Sequence, residues 1–133
     1  MTGVFLDTVG LIAVWDTSDQ WHEPAAQAFG ELLRDRTPLY TSNQILLECG
    51  NAAARRPYRG RVNALRRQLI EADLLLEPNA AEWEAAWEAF DRGASSQAGI
   101  VDQVSFVLMR RAGVVRAFTN DDHFRAAGFE TCW

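Results

Sequence analysis

The chain alternates short apolar segments with longer helical ones, and this alternation restricts its fold more than any other feature. The apolar segments predict strands at residues 4–6, 39–40, 74–76, 114–118 and near 129–133. Helical patterns predict helices at residues 8–15, 21–35, 42–56, 61–72, 80–92, 99–113 and 123–127. Strands that alternate with helices form a mostly parallel sheet covered on both faces. The sequence therefore predicts one α/β domain over residues 1–133, with four or five strands and about seven helices.

Acidic residues follow two of the predicted strands directly. Asp7 ends the first, and the stretch FTNDDHF places Asp121, Asp122 and His123 after the strand at 114–118. The carboxyl ends of parallel strands meet at one edge of a sheet, where ligands bind, so we expect Asp7 and Asp121 to lie close together. A structural alternative is that Asp7 and one of the later aspartates only cap the helices that follow them.

Two further acids lie among apolar residues. Glu48 occurs in QILLECGN and Asp102 in GIVDQVSFVLM. A solvated helix face would account for Glu48, and a carboxylate in a first helical turn gains about 0.3–1 kcal/mol from the helix dipole, which would account for Asp102. Each acid taken singly is thus equally compatible with a structural role.

The combination of the four acids favours a metal site. Two carboxylates about 4 Å apart repel by roughly 4 kcal/mol at an effective dielectric constant near 20, so a cluster needs protons or a cation. The chain has two histidines and two cysteines, none at zinc-ligand spacing. Oxygen ligands favour Mg²⁺ or Mn²⁺. Such a site promotes hydrolysis of phosphodiester bonds and is typical of metal-dependent nucleases.

Several other classes of protein are disfavoured. All thirteen basic residues are arginines, so the lysine of a P-loop and that of phosphoaspartyl proteins are both missing. No apolar run approaches the roughly 18 residues of a membrane span, and MTGVFLD reaches an acid before a signal-peptide core forms. The cysteines, Cys49 and Cys132, lie far apart in the sequence and suit a reducing compartment. We expect an unexported, cytoplasmic protein.

One segment, RRPYRGRVNALRR at residues 55–67, concentrates positive charge. It holds six arginines and no acid, so the rest of a chain of net charge −5 carries −11. Arginine makes bidentate contacts with phosphate, and Tyr58 could stack on a base, which makes RNA contact a reasonable hypothesis. The residues that we expect to bind RNA are Arg55, Arg56, Arg59 and Arg61. A solvated helix face or a protein interface explains the segment equally well.

An aromatic stripe marks the predicted helix at 80–92. Trp83, Trp87 and Phe90 recur at i, i+4 and i+7, which places them on one helix face. Such stripes usually face the protein interior, so the spacing predicts core packing for all three.

Four motifs together resemble the PIN-domain family. FLDTVGLIAVWD, TSNQILLECGNA, GIVDQVSFVLM and FTNDDHFRAAGF occur in the order and spacing of that family, particularly of the small VapC-like toxins of prokaryotic toxin–antitoxin pairs. The resemblance spans nearly the whole chain. It implies a compact parallel sheet, a Mg²⁺- or Mn²⁺-binding acidic cluster, and endoribonuclease activity on structured RNA such as tRNA or ribosomal RNA. It also implies a cognate antitoxin as partner and a homodimer.

The resemblance also assigns roles to individual residues. The four acids of the family match the metal-binding and catalytic candidates Asp7, Glu48, Asp102 and Asp121. Polar positions that support the acids in the family match Thr8, Asn43 and Ser105, and His123 matches a histidine that orients its turn.

Two other functions remain open at this stage. A PIN-like module that binds RNA or a protein without cutting is one, although binding alone does not need a repulsive cluster of acids. A DNA-directed nuclease of the same fold is the other, and comparison of RNA and DNA strands of identical sequence would separate it from a ribonuclease.

Overall fold

A single parallel sheet of five strands organises the protein in the computed structural model, which describes residues 2–133. The strands are β1 (Val4–Leu6), β2 (Leu39–Ser42), β3 (Leu75–Leu76), β4 (Arg116–Phe118) and β5 (Glu130–Thr131). They lie in the order β3-β2-β1-β4-β5, and every neighbouring pair is parallel. The predicted α/β fold and the five strand positions are confirmed.

Eight helices connect and cover the strands among the described residues. They are α1 (Thr8–Trp15), α2 (His22–Arg34), α3 (Asn43–Ala53), α4 (Arg59–Glu71), α5 (Ala80–Asp91), α6 (Ala94–Gln97), α7 (Ile100–Ala112) and α8 (Asp122–Ala126). Seven of them correspond to the predicted helices. No helix among residues 2–133 is long and apolar enough to cross a membrane.

The additional helix, α6, is a short left-handed turn within GASSQAG, where the sequence predicts only a break. Ser95, Ser96 and Gln97 all have positive φ angles, between 58° and 61°. L-residues in this region lose roughly 1–2 kcal/mol each, so neighbouring contacts must stabilise the turn. The buried Gln103 side chain does so, because its Nε2 donates to the carbonyl oxygen of Ala94 at 2.9 Å.

The core surrounds the central strand. Val4, Phe5 and Leu6 of β1 are fully buried, as expected for a strand covered by helices on both faces. Phe106 of α7 packs edge-on against Phe124 of α8 at 4.9 Å between ring centroids. These contacts fix α7 and α8 against the sheet and so set the positions of the polar residues at its edge.

The aromatic stripe of α5 is only partly in the core. Trp83 packs against a small second cluster formed by Ala86, Val104 and Leu108. Trp87 and Phe90 instead remain 47% and 42% exposed and pack edge-on against each other. The prediction of core packing is therefore wrong for these two residues, because α5 lies at the margin of the fold and packs mainly on α7.

A glycine allows α1 to approach β4 closely. A Cβ atom added at Gly10 would clash with the backbone carbonyl oxygen of Phe118, and backbone cannot swing aside as a side chain can. We therefore expect Gly10→Ala to lower the free energy of unfolding by about 3 kcal/mol or more, measured by urea denaturation.

The matched control is Gly50→Ala in α3, where an added Cβ meets no atom within 4 Å. This substitution is expected to leave stability unchanged or raise it by up to about 1 kcal/mol, since alanine favours the helix. Equal effects of the two substitutions would show that the contact between α1 and β4 does not limit residue size at position 10.

Candidate active site

The four predicted acids line one open cleft at the carboxyl edge of the sheet. The cleft has a volume of about 690 Å³, and its walls are formed by Asp7, Thr8, Val9, Glu48, Asn51, Ala52, Asp102 and Asp121. The structure thus brings together residues that are up to 114 positions apart, from Asp7 to Asp121.

Strand pairing explains how Asp7 and Asp121 meet. β1 and β4 are neighbouring parallel strands with Leu6 opposite Phe118, so the residues that follow them emerge at the same edge. Asp7 follows β1 directly, whereas Asp121 comes three residues after Phe118 and caps α8 through a hydrogen bond from the His123 backbone NH at 2.9 Å. The other two acids come from helices: Glu48 from α3 and Asp102 from the first turn of α7.

Asp7 is the most buried of the four acids, with 3% of its surface exposed. It occupies the N-cap position of α1 but its side chain makes no capping hydrogen bond. Its Oδ2 instead accepts a hydrogen bond from Thr119 Oγ1 at 2.8 Å. Burial, together with the nearby charges of Asp102 and Asp121, raises the pKa of Asp7 from 3.8 to about 7, against the opposing effect of Thr119.

Asp102, Asp121 and His123 form the second part of the site. His123 Nδ1 lies 3.0 Å from Asp121 Oδ1 and 3.7 Å from Asp102 Oδ2. Burial raises the pKa of Asp102 from 3.8 to about 6, and the Asp121 charge adds to this effect while His123 opposes it. One ligand atom from each of the three residues fits within 4.8 Å of the others.

Glu48 is exposed on the opposite wall and is held by a neighbour. Thr8 Oγ1 donates a hydrogen bond to Glu48 Oε1 at 2.6 Å. Thr8 follows Asp7, so the first residue of α1 ties the glutamate on α3 to the edge of β1. This contact gives Thr8 the supporting position that the resemblance assigns to it.

Asn43 and Ser105 have other hydrogen-bond partners. The Asn43 amide donates to Glu77 Oε1, and Ser105 Oγ donates to the carbonyl oxygen of Val101 at 2.9 Å. Within residues 2–133 neither side chain is hydrogen-bonded to one of the four acids. Ser105 is fully buried one turn beyond Asp102, and its hydroxyl bonds to the backbone of its own helix and not to this acid.

Thr119 is the residue of the site that sequence reasoning misses. It bonds Asp7 through its hydroxyl, which also accepts a hydrogen bond from the Asp121 backbone NH at 3.1 Å. One side chain thereby links the two acids that follow neighbouring strands. The available signal was a hydroxyl residue placed directly between a buried strand and an acidic turn.

The donor set of the cleft suits a divalent metal ion. All four acids offer carboxylate oxygens, which hard cations prefer. Burial, together with repulsion between the neighbouring negative charges, raises the pKa of Asp7 and of Asp102. A cation bound between them would offset this repulsion. The residues present therefore fit a divalent ion.

The arginines predicted to bind RNA differ in their contacts within the protein. Arg56 forms an ion pair with Asp16 at 2.9 Å, and its guanidinium lies 6.0 Å from the ring centroid of Tyr58. Tyr58 itself is half-buried beside Trp15. Arg59 Nη1 donates to the carbonyl oxygen of Ala54 at 2.8 Å.

The other two candidates, Arg55 and Arg61, are exposed. The segment starts two residues after α3 ends, so it begins near the wall of the cleft that Asn51 and Ala52 form.

The chain is similar to known proteins along nearly its whole length. The family model described as PIN domain matches residues 4–130. A 23S rRNA-specific endonuclease, VapC20, from two strains of Mycobacterium tuberculosis (CDC 1551 / Oshkosh and ATCC 25618 / H37Rv) is 31% identical over 128 residues, which cover 95% of each chain. The crystal structure of Mycobacterium tuberculosis VapC20, described as a sarcin-ricin loop cleaving toxin, superposes with a TM-score of 0.73 at 29% identity and 96% coverage of both chains.

Proposed function

The chain belongs to the PIN-domain family, and from this premise we propose that it is a metal-dependent endoribonuclease of the VapC-like toxin type. The observation that carries the proposal is the convergence of Asp7, Glu48, Asp102 and Asp121 on one cleft. Binding of RNA alone does not require a cluster of carboxylates. Such a cluster lowers stability, because the like charges repel one another and burial adds a desolvation penalty.

The four acids are proposed to hold one or two Mg²⁺ or Mn²⁺ ions. When bound, the metal supplies positive charge that stabilises the transition state of phosphodiester hydrolysis. The chain itself supplies the positioning. Thr119 fixes one oxygen of Asp7, Thr8 fixes one oxygen of Glu48, and His123 holds Asp121 beside Asp102. Hydrogen-bonded partners of this kind keep ligands oriented and typically contribute 10- to 100-fold to metal affinity or activity, as an order of magnitude.

Ribosomal RNA is the proposed substrate, ahead of transfer RNA. The support is the likeness to VapC20, a 23S rRNA-specific endonuclease, along 95% of both chains. A protein that cuts ribosomal RNA acts in the cytoplasm and inhibits translation. Its proposed partners are a cognate antitoxin and a second copy of the chain.

Mapping of RNA ends tests the function and the substrate together. The protein and its Asp7→Asn variant are expressed separately, and new 5′ ends are sequenced in total RNA. We expect discrete new ends in large-subunit ribosomal RNA with the wild type only. New ends confined to transfer RNA would overturn the substrate proposal.

The same proteins are then incubated with purified RNA and DNA strands of identical sequence. Cleavage of RNA alone by the wild type supports the ribonuclease. Cleavage of DNA alone, or equal cleavage of RNA by both proteins, would refute it.

A further inference from the structure

A second groove lies on the face of α3 next to the face that lines the acidic cleft. Its residues occupy one face of α3 and the facing side of α4, and it encloses about 330 Å³. The lining residues from α3 and the residue that follows it are Asn43, Leu46, Leu47, Gly50 and Ala54; those from α4 are Arg59, Val62, Asn63 and Arg66. Both sets recur at i, i+3, i+4 and i+7, so each helix presents a continuous stripe to the groove.

The two stripes have different chemistry. The α3 side is mostly apolar and open: Leu47 is 68% exposed, and Gly50 leaves space that no neighbouring atom fills within 4 Å of an added Cβ. The α4 side is basic and polar, with Arg59 and Arg66 one helical turn on either side of the Val62–Asn63 pair. An apolar surface facing two cations suits a nucleoside joined to a phosphate, since bases pack on apolar groups and guanidinium groups bind phosphate.

The groove arginines keep their charge available. Arg59 Nη1 donates to the carbonyl of Ala54, and Arg66 Nη1 donates to Asn63 Oδ1 at 3.1 Å. Each bond uses one of the five donors of a guanidinium and orients the group. Neither arginine forms an ion pair with an acid within residues 2–133, in contrast to Arg56, which Asp16 neutralises. Arg59 and Arg66 therefore face the groove with their charge available, whereas the charge of Arg56 is neutralised.

The groove and the cleft lie on neighbouring faces of the same helix, α3. Leu47 faces the groove, and the next residue, Glu48, faces the cleft; Gly50 and Asn51 divide in the same way. An α-helix with its side chains is about 10–12 Å across. A strand that crosses α3 over these residues therefore reaches both sites at once.

We propose that the groove between α3 and α4 binds a nucleotide of the RNA strand on one side of the phosphate that lies in the acidic cleft, with Arg59 and Arg66 on its phosphate. This inference rests on the proposed ribonuclease function and adds the place where the substrate strand is held. An alternative occupant is a second copy of the chain. RNA is favoured because burial of two unpaired arginines in a protein interface is unfavourable unless the partner supplies acids.

The test measures how salt weakens RNA binding. A fluorescently labelled single-stranded RNA of mixed sequence is titrated in the Asp7→Asn background, with and without Arg59→Gln/Arg66→Gln. Each phosphate contact to a single strand contributes about 0.7 to the magnitude of the slope of log K against log salt concentration. Because Arg59 and Arg66 share one phosphate, the double variant should lower this magnitude by about 0.7. The matched control Arg34→Gln/Arg92→Gln removes the same charge from other surfaces and should leave the slope unchanged.

A second pair of variants tests the same groove without removing arginines. Gly50→Glu and Gly50→Gln introduce side chains of equal size into open space, so both are expected to fold. If the groove holds phosphate, the glutamate variant binds RNA at least about tenfold more weakly than the glutamine variant, as for introduction of a like charge worth about 1.4 kcal/mol. Equal affinities of the two variants would overturn the proposal.

The outcomes separate this inference from the proposed function. Wild-type cleavage with an unchanged salt slope in the arginine variant would overturn the groove proposal and leave the nuclease intact. A lower slope without any wild-type cleavage would support the groove and reject the nuclease. An unchanged slope with a shift from dimer to monomer in analytical ultracentrifugation would assign the groove to a second copy of the chain, which also overturns the proposal.

Discussion

Asp7→Asn is expected to lower RNA cleavage at least about 10³-fold, because it removes one buried oxygen ligand and its negative charge from the cleft. Asn is nearly the same size as Asp and keeps an oxygen that accepts the hydrogen bond from Thr119. The loss should therefore come from charge and not from unfolding. Initial rates of cleavage of a defined RNA fragment, at saturating Mg²⁺ or Mn²⁺, provide the measurement.

The same variant should lose activity but gain stability at alkaline pH. The pKa of Asp7 is raised from 3.8 to about 7, so without metal the folded protein loses stability as the pH rises through this interval. Above pH 7 the loss in free energy of unfolding reaches about 4 kcal/mol, because each unit of pKa difference between the folded and unfolded states contributes about 1.4 kcal/mol. The variant lacks this loss and should be more stable than the wild type at pH 8 in EDTA. The difference should vanish below about pH 4.

Urea denaturation in EDTA at both pH values checks this expectation. A variant that is less stable than the wild type at pH 8 would show that the Asp7 carboxylate is not destabilised by its surroundings. An inactive variant that is more stable, in contrast, excludes misfolding as the cause of inactivity. Many substitutions lower activity by lowering stability, so this pairing of opposite effects identifies a residue retained for function.

Removal of divalent metal is the second change with a large expected effect. EDTA should abolish cleavage, and addition of Mg²⁺ or Mn²⁺ at 100 times its dissociation constant should stabilise the folded protein by about 2.7 kcal/mol, which raises the melting temperature by about 10 °C. At one fixed metal concentration the rise should be larger at pH 8 than at pH 5, because protons compete with the metal for Asp7 and Asp102, whose pKa values are raised to about 7 and about 6.

Thermal denaturation with and without metal gives the result directly. Asp102→Asn serves as the comparison, since it removes a cleft carboxylate from a different element and should reduce the metal-dependent rise. Glu84→Gln removes one acid from the exposed surface of α5, away from the cleft, and should leave the metal-dependent rise in melting temperature unchanged. A rise of equal size in Asp102→Asn and the wild type would place the metal outside the cleft.

The positions of Asp7 and Asp121 could be anticipated from the sequence because topology determines them. Once a parallel sheet is predicted, residues after adjacent strands must share an edge, which brings Asp7 and Asp121 together. The position of Asp102 in a first helical turn was equally compatible with a structural role, so its assignment to the site depended on the resemblance to a family. The convergence of these acids with Glu48 depended on the same resemblance, since no local pattern shows which face of α3 turns toward the sheet.

Other features depend on tertiary contacts that a sequence pattern does not contain. The bond between Thr119 and Asp7 needs the register of β1 and β4, which places Leu6 opposite Phe118. The exposure of Trp87 depends on how few elements cover α5, whereas its spacing shows only that it shares a face with Trp83. The left-handed turn at Ser95 and Ser96 runs against residue preference, and it persists because the Gln103 side chain holds it.

The order of the acids along the chain also delays the onset of activity during synthesis. The cleft is lined by Asp7, which follows β1, and by Asp121 from the turn after β4, and the hydrogen bond from Thr119 to Asp7 joins residues 112 positions apart. A growing polypeptide on the ribosome cannot complete the site until residue 121 has been made and β4 has docked on β1. A chain cut short before that point lacks Asp121, so we expect incomplete translation products not to cleave RNA.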